Sequence, residues 1–225
     1  MSESQPVAVV LCGCGRADGS EITESVSTLI QLSRAGLPYR CFAPAGAQAE
    51  VVNHLTGQAV GETRDMLVEA ARIARGEVSP ITELRAAACS AVVFPGGFGA
   101  AKNLCTFAKD GACCTVHPEV ARVIREFHAL GKPIGLICIA PVLAARVLGN
   151  AAGGPGCSVT IGDDAGTAGA IRAMGAKNVV RAVTQACVDD EHRVVTTPAY
   201  MCDAKPHEVF DGIGALVLEV RRMLA

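Results

Sequence analysis

Among the 11 cysteines of the chain, Cys138 has the context with the most chemical consequence. It closes the apolar run GLIC, and a helix reading APVLAARVL begins almost at once, with Pro141 near its first turn. A thiol in so sharp a strand-to-helix turn occupies a nucleophile elbow, and the bare amides of a helix N-terminus favour thiolate over thiol. The alternative is a small residue filling a crowded turn. A second glycine-bearing turn, PGGFGAAKNL at 95–104, follows another apolar run, and the amides of Gly97 and Ile139 are placed to converge on an oxyanion beside Cys138. Taken alone, that glycine pair indicates only a tight turn.

An acid is available near the first glycine-rich turn, where Asp18, Glu21 and Glu24 follow LCGCGRADG and the last two lie one helical turn apart. Any of them taken singly serves equally well to complement a helix dipole. Of the histidines, His117 and His128 fall on or beside one helix, His54 in the NHLTG turn and His192 at a hairpin tip, and none shares a motif with Cys138. Cys12 with Cys14, and Cys113 and Cys114 with His117, resemble metal-ligand spacing, but neither set has a second C-x-x-C or an H-x-x-x-H partner. No metal and no cofactor is expected. GGFGAAKN lacks the G-K-[ST] ending of a phosphate loop, and GCGRAD lacks the third glycine of a dinucleotide fingerprint.

Positioning these groups requires a sheet. VAVVLC at 7–12 is a short, β-branched, continuously apolar run, which marks a strand buried on both faces. SEITESVSTLIQLSRAG then has helical spacing, with Ser20 and Thr23 as capping candidates and Gly36 as its stop. The alternation continues with strands at 39–44, 90–97 and 132–138 and helices at 62–76 and 117–131. Repeated βα units imply right-handed crossovers and a three-layer α/β sandwich, with ligands at the carboxyl ends of the strands. TQACVDD and HRVVTTPA read as an antiparallel pair, and a helix over about 203–224 closes the chain. LGNAAGGPGCSVT at 148–160 reads as a surface loop, and the loops at 14–20, 98–115 and 150–170 should shape the pocket. One domain, 1–225, is expected.

Composition narrows the partners. With 20 basic and 22 acidic residues the net charge is −2, which argues against nucleic acid and anionic membranes. Aromatic residues make up 4% and Trp is absent, so base-stacking platforms are scarce. An odd cysteine count, several of them inside apolar runs, indicates a reducing compartment. MSESQPVAVVLCG has neither a signal nor a transit pattern, and no run approaches the roughly 18 apolar residues of a membrane span. The expected location is cytoplasmic, or mitochondrial if a presequence has been removed.

LCGCGRADGSEITE, CFAP, NHLTG, EAARIARGE, FPGGFGAAKNL, GKPIGLICIAP and TTPAYM, in that order, resemble the ElbB-like branch of the ThiJ/PfpI superfamily, whose members carry a class 1 glutamine-amidotransferase-like domain. The resemblance implies a flavodoxin-like sandwich with a mostly parallel sheet, and a homodimer. It also implies that Cys138 is the reactive cysteine, Glu24 its protonated acidic partner, and Gly97 and Ile139 the oxyanion amides. Where the protease members place a histidine after the cysteine, this chain has Ile139, which argues against a Cys-His pair. The implied activity is a cofactor-independent glyoxalase III-like conversion of methylglyoxal or glyoxal to the hydroxy acid, with deglycase-like action on glycated adducts as its neighbour. The other implied role is regulatory, with Cys138 as an oxidation sensor linked to metabolism. An amide-hydrolysing enzyme would need a histidine brought to Cys138 in space.

Overall fold

The computed structural model describes residues 5–225. Its centre is a seven-stranded sheet built from β1 (Val7–Val10), β2 (Tyr39–Ala43), β5 (Val78–Pro80), β6 (Ala91–Phe94), β7 (Ile134–Ile137), β10 (Cys187–Asp189) and β11 (Val194–Thr197), in the order β10-β11-β7-β6-β1-β2-β5. All pairings are parallel except β10 with β11, the antiparallel pair expected from the two apolar runs around Asp190. The alternation of the strands divides the core. Ala8, Val10, Phe94 and Leu136 face α5 (Pro118–Ala129), α6 (Pro141–Leu148) and α7 (Ala165–Ala173). Val7, Val9, Val93 and Ile137 face α1 (Ile22–Arg34), α2 (Met66–Ile73) and α8 (Pro206–Leu224). The result is the flavodoxin-like α/β sandwich expected, with each strand of the sheet's centre buried on both sides.

Several local features differ from the sequence reading. The N-cap of α1 is Glu21, whose carboxylate accepts from the Glu24 amide at 2.7 Å, while the Ser20 hydroxyl accepts from the buried Cys12 amide at 2.9 Å. Ser20 is therefore committed to the turn after β1 instead of to the helix. The second helix starts only at Met66, because Asp65 caps it by accepting from the amides of Leu67 and Val68. NHLTG sits at the tip of an antiparallel hairpin, β3 (Val51–Asn53) with β4 (Gln58–Val60), too short to carry a periodic signal. The 98–115 stretch contains α3 (Phe98–Lys102) and α4 (Phe107–Asp110). Around α7, a two-residue parallel pair, β8 (Ser158–Val159) with β9 (Lys177–Asn178), replaces open loop. Of the 148–160 stretch only 150–155 is the surface connection anticipated, leaving α6 through Gly149 and turning at the left-handed Gly153, while 156–160 runs back into the core through β8.

The order of strands reverses between β1 and β6, because β2 and β5 extend one way from β1 while β6, β7 and β11 extend the other. Diverging connections at such a point open a crevice at the carboxyl ends. The residues following β1, β6 and β7 all lie there.

Candidate active site

Cys138 follows β7 directly and its φ is +62°, a left-handed conformation that non-glycine residues rarely hold. Its own amide donates to the Thr197 carbonyl at 2.9 Å, continuing the β7–β11 pairing one residue past the strand and fixing the turn. Such strain persists only where the surroundings over-determine it. The turn aims the thiol back across the end of β6, and the amides of Gly97 and Ile139 donate to its sulfur. Gly97 itself has φ +95°, so the donor geometry depends on a glycine at that point.

Glu24 lies one turn into α1 and is completely buried. One carboxylate oxygen accepts from the Gly96 amide at 2.9 Å, the other from the Tyr200 amide at 3.4 Å, and the group also hydrogen-bonds the Cys138 thiol. A Cβ on Gly96 would stand 2.5 Å from the Cβ of Cys138 and 2.6 Å from a Glu24 carboxylate oxygen, so only glycine lets α1 and the elbow meet here. Burial, reinforced by the neighbouring charge of Glu21, pushes the Glu24 carboxyl up to about 8. Near neutrality it is mostly protonated.

The thiol departs from the sequence-based expectation. A helix N-terminus alone would lower it, yet burial and the adjacent Glu24 push Cys138 upward, and the two amide donors offset only part of that rise. Two buried acids in contact cannot both ionise, and protonation of Glu24 removes its repulsion of the thiolate. The first proton the pair loses therefore leaves a single negative charge, which sulfur and carboxylate share.

Glu21 and Cys138 both line a cleft of about 760 Å³, whose walls include Arg16, Phe98, Phe107 and Tyr200. Burial raises the Glu21 carboxyl as well. Asp18 is turned away. It is buried, and one of its carboxylate oxygens accepts from the Val52 amide at 2.8 Å, pinning the β3–β4 hairpin. The polar residues that follow the glycines of 95–104 also hold loops in place. Asn103 donates to the carbonyls of Cys12 and Asp18, and Lys102 pairs with Glu50 and donates to the Ala17 carbonyl. None of the histidines lines the cleft, and among the described residues no three His, Cys, Asp or Glu side chains gather as a metal would require.

The resemblance thus pointed to Cys138, Glu24, Gly97 and Ile139, and the structure brings all four together. Gly96 and the Tyr200 amide were missed. A doubled glycine at a strand end signals a turn, and nothing in sequence says which of the two touches a distant glutamate. The amide of Tyr200 comes from a turn after β11 in which Ala199 also has positive φ, +44°.

No family model matches the chain. It is 52% identical over 224 residues to the human glutamine amidotransferase-like class 1 domain-containing protein 3, mitochondrial, covering 95% of this chain and 81% of that protein. The chain belongs to this family. The rat relative, ES1 protein homolog, mitochondrial, is 50% identical with 82% of its length covered. Among solved structures, the isoprenoid biosynthesis protein with amidotransferase-like domain from Ehrlichia chaffeensis superposes with a TM-score of 0.91 at 36% identity, over 99% of this chain and 100% of that one. This is the ElbB-like branch of the ThiJ/PfpI superfamily. Drosophila melanogaster DJ-1beta shares the fold at a TM-score of 0.52 and 17% identity. Among the described residues of this family member, no helix is long and apolar enough to cross a membrane.

Proposed function

We propose that the chain is a cofactor-independent, glyoxalase III-like enzyme that converts a small dicarbonyl such as methylglyoxal to its hydroxy acid. The observation that carries this reading is the hydrogen-bonded Cys138–Glu24 pair, buried at the base of a cleft with two amides on the sulfur. With Glu24 holding the shared proton, the thiolate adds to the aldehyde carbon, a C–S bond forms, and the carbonyl π pair moves to oxygen. The amides of Gly97 and Ile139 stabilise that oxyanion until Glu24 protonates it. The resulting carboxylate removes the proton from C1, the electrons pass to the C2 carbonyl, the C1 hydroxyl proton moves to the C2 oxygen, and protonation at C2 by Glu24 leaves an S-acyl cysteine. Water attacks the acyl carbon and the thiolate departs, so one dicarbonyl and one water give one hydroxy acid. No external oxidant or reductant is consumed. Deglycase-like action would use the same addition step on a glycated adduct.

The chain should turn over glyoxal and methylglyoxal without glutathione or added metal. Cys138→Ala should abolish the rate, and Glu24→Gln, which keeps the neutral shape but cannot carry the proton, should lower it by roughly 10²–10⁴-fold. A wild-type rate no higher than buffer would end the dicarbonyl reading and favour the sensor role of the same thiol. The mitochondrial names of the human and rat relatives support a mitochondrial setting. We also propose a homodimer, supported by the exposed Ile22, Val26 and Ile30, which recur at four-residue spacing along α1.

A further inference from the structure

Outside the site, two thiols meet at the base of the loop that carries α4, whose Phe107 and Ala108 line the cleft. Cys105 and Cys114 flank α4 as neighbouring thiols, and the Cys105 thiol donates to the Ala100 carbonyl at 3.3 Å. The backbone holds them there. Cys105 forms an antiparallel bridge with Val116, the Thr106 amide donates to the Thr115 carbonyl at 3.0 Å, and the His117 amide donates to the Leu104 carbonyl at 2.8 Å. The two chain segments are thus clamped side by side at the neck of the α4 loop. Both cysteines are buried, and both are free thiols.

Two further observations distinguish this pair from ordinary core thiols. A cavity of about 200 Å³ reaches Cys114, and Arg125 and Arg146 are among the residues that line it. Arg146 is oriented by its own bond, Nε donating to the Cys114 carbonyl at 2.7 Å. A thiol beside a second thiol and within the field of one guanidinium, Arg146, is the arrangement that stabilises a thiolate and supplies its resolving partner. The neighbouring Cys105 thiol and the charge of Arg146 lower Cys114 below its ordinary value, while the same contact and burial raise Cys105, so Cys114 is the thiol that ionises first.

We propose that Cys105 and Cys114 form a redox-active dithiol, oxidised by small peroxides to a disulfide that closes the α4 loop. The Cys114 thiolate attacks a peroxide oxygen, an S–O bond forms, the O–O bond breaks, and the departing hydroxide leaves as water. The Cys105 thiol then attacks the sulfenic sulfur, the S–S bond forms, and the departing hydroxide takes the Cys105 proton and leaves as water. Two thiols and one hydrogen peroxide give one disulfide and two waters. Because Phe107 and Ala108 of the loop line the Cys138 cleft, closure of the loop bears on that cleft.

Tryptic mapping of the full chain reads this directly, because Lys109 separates the two cysteines into peptides 103–109 and 110–122. After sub-millimolar hydrogen peroxide, alkylation and digestion under non-reducing conditions, these two peptides should appear cross-linked, two hydrogens lighter than their sum. Cys113 shares the second peptide, so Cys113→Ser is the reference chain and should retain the cross-link. In Cys105→Ser the cross-link should vanish and a sulfenic-acid probe such as dimedone should label Cys114. Arg146→Gln should slow cross-linking several-fold, with Arg146→Lys recovering much of the rate. Cross-linking through Cys113, or full alkylation of Cys105 and Cys114 when Cys138 is already oxidised, would overturn the proposal. Matched melting temperatures of wild type and Cys105→Ser would show that the loss is chemical and not a failure to fold.

Discussion

Glu24 is the residue whose environment most changes its behaviour. A carboxyl held near 8 in the fold, against 4.5 ordinarily, keeps its proton more tightly folded than unfolded. An acid raised in that direction contributes its stability fully below pH 4.5 and loses it as pH rises through about 8. The effect is on the order of a few kcal/mol, since each tenfold change in proton affinity corresponds to about 1.4 kcal/mol. Glu24→Gln stays neutral throughout. Its melting temperature should therefore gain on the wild type between about pH 5 and pH 8, measured by calorimetry in matched buffers. Parallel curves would mean that the buried acid is not the titrating group. The motif neighbours of Glu24 illustrate what residue type alone conveys: Asp18, Glu21 and Glu24 are chemically equivalent in sequence, and only the third is carried into contact with Cys138.

Elements meet at the site through Gly96. The N-terminal turn of α1 approaches the end of β6 so closely that the Glu21 amide donates to the Gly96 carbonyl at 3.0 Å while the Gly96 amide donates to Glu24 at 2.9 Å. A methyl group at that point has no room, since it would also lie 2.8 Å from the Ile137 carbonyl. Gly96→Ala should cost about 1–3 kcal/mol by overpacking and should depress dicarbonyl turnover together with the melting temperature. Gly61→Ala, at a glycine with open space around it, is the control and should leave both unchanged. The long elements were legible because burial imposes a period: continuous apolar runs for β1, β6 and β7, helical spacing for α1 and α5. The hairpin β3–β4, the edge strand β5 and the pair β8–β9 span two or three residues each, too few for any period to register.

At the scale of the molecule, α1 serves two sides. Its inner face carries the buried Glu24 and Leu32, and its outer face exposes Ile22, Val26 and Ile30. The proposed dimer predicts twice the chain mass by light scattering, and Ile30→Asp should shift the chain toward monomer while circular dichroism stays unchanged. A monomeric wild type would remove the dimer from the account.

By itself the sequence determined the alternation of strands and helices, the three-layer sandwich and the elbow at Cys138, because each follows from local period, turn chemistry and capping. The two turns also suggested the amides of Gly97 and Ile139, and the resemblance of its motifs singled out Glu24. Only the tertiary structure decided that the Cys138 thiol is raised instead of lowered, that Gly96 admits the glutamate, that the Tyr200 amide completes its hydrogen bonds, and that Cys105 lies beside Cys114. Those outcomes depend on desolvation and on contacts between segments far apart in the chain. Burial and distance arise when the sheet assembles, and no window of neighbouring residues contains them.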